Sequence, residues 1–150
     1  MNVVLKPAIK EAWIAFYVAH GVLSKKIDAR LVQAGVVTLD IYDVLLTLEM
    51  AENQRLKMSE LADRVLVTRS GMTRMVDRLE GAGLIERQSF PGDRRSLFAV
   101  LTPKGLAERE RAWPVYEKAI ADLFAVHVSE EQAITLSNTL GPCGGSRGLD

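Results

Sequence analysis

The chain has 150 residues, of which 48% are hydrophobic and 25% charged, with nineteen basic side chains balanced by nineteen acidic ones. That is the size and make-up of one globular unit able to bury a core without disulfides or metal. The neutral total neither points to an acidic partner nor excludes one. No apolar run approaches the ~20 residues that cross a bilayer, and the start, MNVVLKPAIKEAW, lacks the pattern of a secretory signal; no membrane is expected, and a cytoplasmic location is the default. Cys143 is the only cysteine, which excludes an intrachain disulfide and a cysteine-rich zinc site. No cofactor or metal is expected.

From Pro7 to about Ala34, Ile9, Trp13, Phe16, Tyr17, Leu23, Ile27 and Leu31 recur at three- and four-residue spacing, which predicts one long amphipathic helix with proline in its first turn. At about 40 Å it is longer than a domain of this size needs for its own core, so packing on a second subunit is expected. Thr38 can cap a second helix to about Glu52, with Ile41, Val44, Leu45 and Leu48 turned inward. Residues 53–57 read as a polar connection. Ser59 opens a short helix with Leu61, Ala62 and Val65 inward, and Thr68 reads as the N-cap of RSGMTRMVDRLEGAG, which stops at Gly81 and Gly83. LIERQSF and RRSLFAVL then read as two strands joined by a Pro-Gly turn. Thr102-Pro103 starts a helix to about Val126 that Pro114 must kink or interrupt, and SEEQ at 129–132 is a capping box for a last helix ending at Gly141-Pro142.

Charge distribution says more than total charge. Seven of the twelve arginines, Arg64, Arg69, Arg74, Arg78, Arg87, Arg94 and Arg95, fall between positions 64 and 95, and arginine suits planar recognition of phosphate or guanine. On a helical wheel, Met72, Met75, Val76 and Leu79 form one stripe and Ser70, Thr73, Arg74 and Asp77, flanked by Arg78, the other. The polar face has the chemistry of a groove-reading helix; it would equally serve as a solvated face with Arg74 paired locally. The hairpin that follows, with Asp93, Arg94 and Arg95 at its tip, favours the first reading, because a charged hairpin behind a helix-turn-helix is the wing of a winged helix and a narrow minor groove attracts arginine.

The run MSELADRVLVTRSGMTRMVDRLEGAGLIERQSFPGDRRSLFAVLTPKG resembles the core of MarR-type transcriptional regulators, through its TRMVDRLEGAGLIER segment, DRR wing and LTPKG helix start. The resemblance covers roughly positions 10–140. It implies a mostly α fold with a small β-hairpin wing: a winged helix-turn-helix lobe at 38–102, dimerisation helices at 1–36 and 103–141, and a flexible tail at 142–150. It implies a homodimer on a pseudo-palindromic operator in double-stranded DNA, with recognition helices about one turn, roughly 34 Å, apart. Position by position, Ser70, Thr73 and Arg74 would read the major groove and Thr68, Arg69 and Arg78 would lie near the backbone. Arg95 would enter the minor groove, oriented by Asp93, with Arg94 at phosphate. Many relatives are repressors released by a small aromatic or phenolic effector; Trp13, Tyr17 and His20, on one helical face, and Tyr42 are candidate pocket residues, with core or dimer interface as the alternative. Peroxide-sensing members carry a reactive cysteine in the N-terminal region, which this sequence lacks.

Catalysis is not expected: His20 and His127 fall in different helices, without a Ser, Cys or acidic partner signature around either. The other readings are a metal sensor, disfavoured by the missing Cys/His cluster, and a winged helix used for protein contacts.

Overall fold

A computed structural model describes residues 3–65 and 69–144, without the side chains of Arg69, Asp93 and Arg94. Helix α1, Pro7–Gln33, has proline in its first turn as expected, and the chain leaves it through Gly35 at φ +69°. Only its last third is inside: Ile27 and Leu31 are buried against Ala119, with Val115 and Tyr116 beside them. The earlier members of its apolar face stay out, Trp13 at 60% and Tyr17 at 67% exposure. The spacing correctly marked an apolar face, but one chain covers only part of it.

Helix α2 spans Leu39–Met50 and buries Val44, Leu45 and Leu48. Its cap differs from expectation. Thr38 occupies the N-cap position, but its hydroxyl donates to the Asp40 carboxylate instead of accepting from the backbone. The Leu39 N–H donates to Asp28 Oδ1 at 2.8 Å and the Ile41 N–H to Asp40 Oδ1 at 2.8 Å. A carboxylate from α1 thus satisfies the start of α2 and ties the two helices.

The polar connection contains a third strand, β1, Arg55–Lys57, entered through a tight turn at Glu52–Gln54. Three residues are too few for alternation to register in sequence. After α3, Met58–Arg64, and α4, Arg69–Gly81, come β2, Ile85–Phe90, and β3, Asp93–Leu101. The antiparallel sheet has the order β1-β3-β2, with Leu56 opposite Ala99 and Arg87 opposite Ala99 from the other side. Met72, Met75, Val76 and Leu79 of α4 are buried, as their spacing required, with Leu61, Ile85 and Ala99 in the same core. Thr68, the expected cap of α4, lies outside the described residues.

Helix α5, Pro103–Leu123, continues through Pro114 without interruption, although proline removes the donor for the Glu110 carbonyl. It ends before Val126 because Ala125–His127 closes into a 3₁₀ turn. Helix α6, Glu130–Leu140, has the expected capping box: the Gln132 N–H donates to Ser129 Oγ at 3.2 Å and the Ser129 N–H to Gln132 Oε1 at 3.0 Å. None of its residues is buried. Residues 141–144 form a further 3₁₀ turn in which the exposed Cys143 thiol donates to the Thr139 carbonyl at 3.6 Å. No helix among the described residues is long and apolar enough to cross a membrane.

The LTPKG segment joins the two halves of the molecule. The Thr102 hydroxyl accepts from Gly105 N–H at 3.0 Å and donates to the Gly83 carbonyl at 2.6 Å, while Lys104 Nζ donates to the Ala82 carbonyl at 2.9 Å. One short stretch therefore caps the start of α5 and the exit of α4. Gly105 is needed for this approach, since a Cβ there would collide with the Leu84 carbonyl oxygen and lie 2.8 Å from Leu101 Cδ1. Gly105→Ala should cost about 2 kcal/mol or more through overpacking against backbone, read as a lowered urea midpoint; an unchanged midpoint would mean the α5 start can move away freely.

Candidate nucleic-acid interface

The buried stripe of α4 leaves Ser70, Thr73, Arg74, Asp77 and Arg78 exposed on its other side. Among the described residues no carboxylate pairs with Arg74 or Arg78. The acids that could have neutralised them are engaged elsewhere. Arg87, on β2, reaches back so that its Nη2 donates to the Asp77 carboxylate and its Nη1 to Glu80 Oε1 at 3.1 Å; its backbone N–H donates to Glu80 Oε2 at 2.8 Å. Burial alone would lower the Arg87 pKa, but the hydrogen bonds and charges of Asp77 and Glu80 outweigh it and raise the pKa, so the guanidinium stays charged. Arg87, counted in sequence as one of the arginine cluster, is thus a clamp with its side chain 19% exposed. The local pairing of Arg74 with Asp77 that the spacing allowed does not form. The signal that separates Arg87 from its neighbours is its place on an inward-turning strand position, opposite buried Ala99.

The hairpin reverses at Pro91-Gly92, with Gly92 at φ +92°, a conformation that favours glycine. Its ladder is regular from Ile85↔Leu101 to Gln88↔Phe98, then shifts, and resumes at Phe90↔Asp93. Residues 94–97 therefore lie in an irregular stretch of β3 facing a single residue, Ser89, on the other strand. A bulge of this kind re-aims side chains. Arg95 is exposed there, and no described carboxylate pairs with it; Thr68 and the side chains of Arg69, Asp93 and Arg94 are outside the described set. Phe90 and Phe98 meet edge to face at 5.1 Å, and the Arg55 guanidinium sits 3.8 Å from the centre of the Phe90 ring. Sequence reading missed Arg55, because the strand that carries it was not visible.

The candidate effector residues separate. His20 and Tyr42 line a cavity of about 570 Å³ between α1, α2 and α5, together with Tyr116, Asp40, Asp43 and Phe124. Trp13 and Tyr17 lie farther along α1, stacked on each other with ring centres 6.2 Å apart. Tyr42 is 4% exposed, edge to face with Tyr116 at 5.1 Å and stacked on Trp113 at 6.4 Å. Burial, then the proximity of Tyr42, Asp43 and Asp28, raises the Tyr116 pKa and keeps its phenol protonated. Nearby, hydrogen bonds from Lys118 and then Arg30 lower the Asp122 pKa; Arg30 Nη1 donates to Asp122 across α1 and α5 at 2.8 Å. Among the described residues no group of His, Cys, Asp and Glu is arranged to hold a metal ion.

A helix-turn-helix with an exposed basic helix face, backed by a three-stranded sheet whose outer hairpin projects beside it, defines a winged-helix protein. The MarR family profile matches residues 37–97, the α2-to-wing lobe, and the fold is that of MarR family winged-helix regulators. It is 37% identical over 76 residues to the transcriptional repressor MprA of Escherichia coli K12, a match covering 51% of this chain and 43% of that one. The chain spans about half the length of the curated relatives it matches. Among solved structures it resembles AbsC, a MarR family regulator from Streptomyces coelicolor, with a TM-score of 0.82 and 27% identity over 95% of this chain and 96% of that one. It also resembles Sco3205 from the same organism, solved in complex with DNA, with a TM-score of 0.85 and 26% identity over 96% and 90%.

Arg87→Met should lower stability by about 1 kcal/mol, the scale of a partly exposed ion-pair set, and Asp77→Asn in the same chain should recover part of it. Denaturant titration of the two single variants and the double variant measures the coupling; strictly additive losses would deny the clamp.

Proposed function

We propose that the chain is a sequence-specific regulator that binds a pseudo-palindromic operator as a homodimer and releases it in response to a small ligand. The observation that carries this reading is the exposed face of α4, where Arg74 and Arg78 have no carboxylate partner among the described residues while Arg87 holds Asp77 and Glu80. Ser70, Thr73 and Arg74 take the base-reading role, Thr68, Arg69 and Arg78 the backbone, and Arg95 the minor groove with Asp93 and Arg94 beside it. The structure of Sco3205 with DNA supports a duplex as partner. The dimer is supported by the apolar side chains that α1 and α6 leave in solvent, including Ile9, Trp13, Phe16 and Ile134. So many large apolar side chains left in solvent along these helices are uncommon on a monomer.

The cavity beside α1 is the effector site in this reading, and its lining narrows the effector. It has aromatic and aliphatic walls with two carboxylates, Asp40 and Asp43, and no lysine or arginine. An anion placed there would lose hydration and face two carboxylates, with His20 the one side chain able to offset its charge. The ligand is accordingly an aromatic amine or a neutral aromatic, which narrows the small aromatic or phenolic effector that the family resemblance implies.

Fluorescence anisotropy on duplexes from upstream of the chain's own gene tests the DNA reading. Arg74→Ala should cost about 1–3 kcal/mol and relax base preference, and Arg94→Ala should weaken all sequences alike and reduce the salt slope by about 1. A duplex with two half-sites one turn apart should bind more tightly than one half-site, and salt-insensitive or absent binding to every fragment would end the proposal. For the effector, benzylamine, benzyl alcohol and benzoate share one ring and differ in charge. Benzylamine should raise the melting temperature more than benzoate, and less so in Asp43→Asn; a preference for benzoate would reverse the assignment.

A further inference from the structure

Arg55 belongs to none of the residue sets above, yet the backbone is held in an unfavourable conformation to deliver it. Asn53 and Gln54, which lead into β1, have φ of +55° and +52°, the left-handed region that residues with side chains seldom adopt in succession. Such conformations persist where the surroundings over-determine them. Here the turn brings β1 onto the edge of β3, with Arg55 opposite Val100 and Lys57 opposite Phe98. From that position the Arg55 guanidinium carbon lies 3.8 Å from the centre of the Phe90 ring and 5.5 Å from that of Phe98, and the two rings meet at 86°. Among the described residues no carboxylate pairs with Arg55, so its charge is directed at the ring faces, which attract cations.

Phe90 holds a particular place in the hairpin. It is the last residue of β2, beyond the point where the regular ladder ends at Gln88↔Phe98, and it pairs with Asp93 across the turn. Fixing Phe90 fixes the far side of the bulge, and with it the path of residues 94–97. We propose that Arg55 is a positioning residue for the wing: it pins Phe90 and so holds the 94–97 bulge, with Arg95, at one height beside α4. This rests on the DNA-binding reading and adds a residue to it that does not itself touch DNA. A side chain that enters a groove from a loose hairpin must surrender that freedom on binding, whereas a braced hairpin has already done so.

Two measurements test it on the full chain. Hydrogen exchange without DNA should show faster exchange at residues 88–98 in Arg55→Met than in wild type, with α2 and α4 unchanged, and near-wild-type exchange in Arg55→Lys, which keeps a cation over the ring. Anisotropy on the tightest genomic duplex should show Arg55→Met and Arg95→Ala each losing about tenfold in affinity, the scale of one good base contact. The double variant should lose little more than either. Arg55→Lys should recover most of the loss. Additive losses, or a salt slope lowered by Arg55→Met in the Arg95→Ala background, would make Arg55 a separate DNA contact and overturn the assignment, as would unchanged exchange in the hairpin. If wild type bound no duplex, the DNA reading would fall, and the exchange comparison alone would still decide whether Arg55 braces the wing.

Discussion

The Arg87 guanidinium makes the helix α4 and the hairpin behind it one rigid object. It leaves β2, crosses the exposed edge of α4 and holds Asp77 and Glu80, while its own backbone N–H is fixed by Glu80 as well. Two consequences follow from one side chain. The base of the hairpin is tied to the side of α4, and a simultaneous use of a major and an adjacent minor groove would need the two to stay together. Asp77 and Glu80, on the same helix as Arg74 and Arg78, are also paired, which lessens their opposition to the positive charge of that face. In a chain of zero net charge, a basic surface has to be made by disposition, and pairing the acids of that surface with an arginine from another strand is one way to make it.

A second constraint lies at the other end of α4. Its last turn delivers the Ala82 and Gly83 carbonyls to Lys104 and Thr102, and Gly105 lets the first turn of α5 sit against the Leu84 carbonyl. The lobe therefore meets the long helix through bonds to backbone carbonyls and one close backbone approach, at Gly105. Farther along α5, Arg109 Nη2 donates to Glu49 Oε1 at 2.9 Å, and Tyr116 meets Tyr42. Helix α2 is thus attached to α5 on one side and to the core of the lobe through Val44, Leu45 and Leu48 on the other.

Much of this was legible in the sequence, and the parts that were not share a cause. The inward stripe of α4, the capping box at Ser129 and the Thr102-Pro103 start are patterns complete within a few residues, so local spacing was enough. The cap of α2 comes from Asp28, eleven positions earlier on another helix. Strand β1 exists because residues 98–100 return to it. Arg74 and Arg87 are indistinguishable as letters, each within reach of an acid, and only the reversal of the chain at Gly83 gives Asp77 to the more distant one. His20 and Tyr17 lie on one helical face as their spacing indicates, but the α2–α5 groove covers only the part of α1 that His20 reaches. Local periodicity reports which face is apolar; which neighbour covers it is a tertiary fact.

The same geography bears on how a ligand in the cavity would be felt at the exposed face of α4. A ligand shifts an equilibrium only by its difference in affinity between two arrangements, so the cavity has to change shape when the lobes move. Its walls come from α1, α2 and α5, and of these α2 contributes most to the main core behind α4, through Val44, Leu45 and Leu48, with Leu106 of α5 packed against it. Leu84 packs tightly on Gly105, so a rotation of the lobe about that junction would also have to remake the Glu49–Arg109 and Tyr42–Tyr116 contacts. Such a rotation would move Asp40, Tyr42 and Asp43 on α2 relative to Tyr116 and Ile120 on α5, opening or closing the cavity. In a dimer it would also change the separation of the two α4 helices, a distance that the spacing of the half-sites fixes. A ligand that filled the cavity in one orientation would therefore favour one spacing, without direct contact with the exposed face of α4.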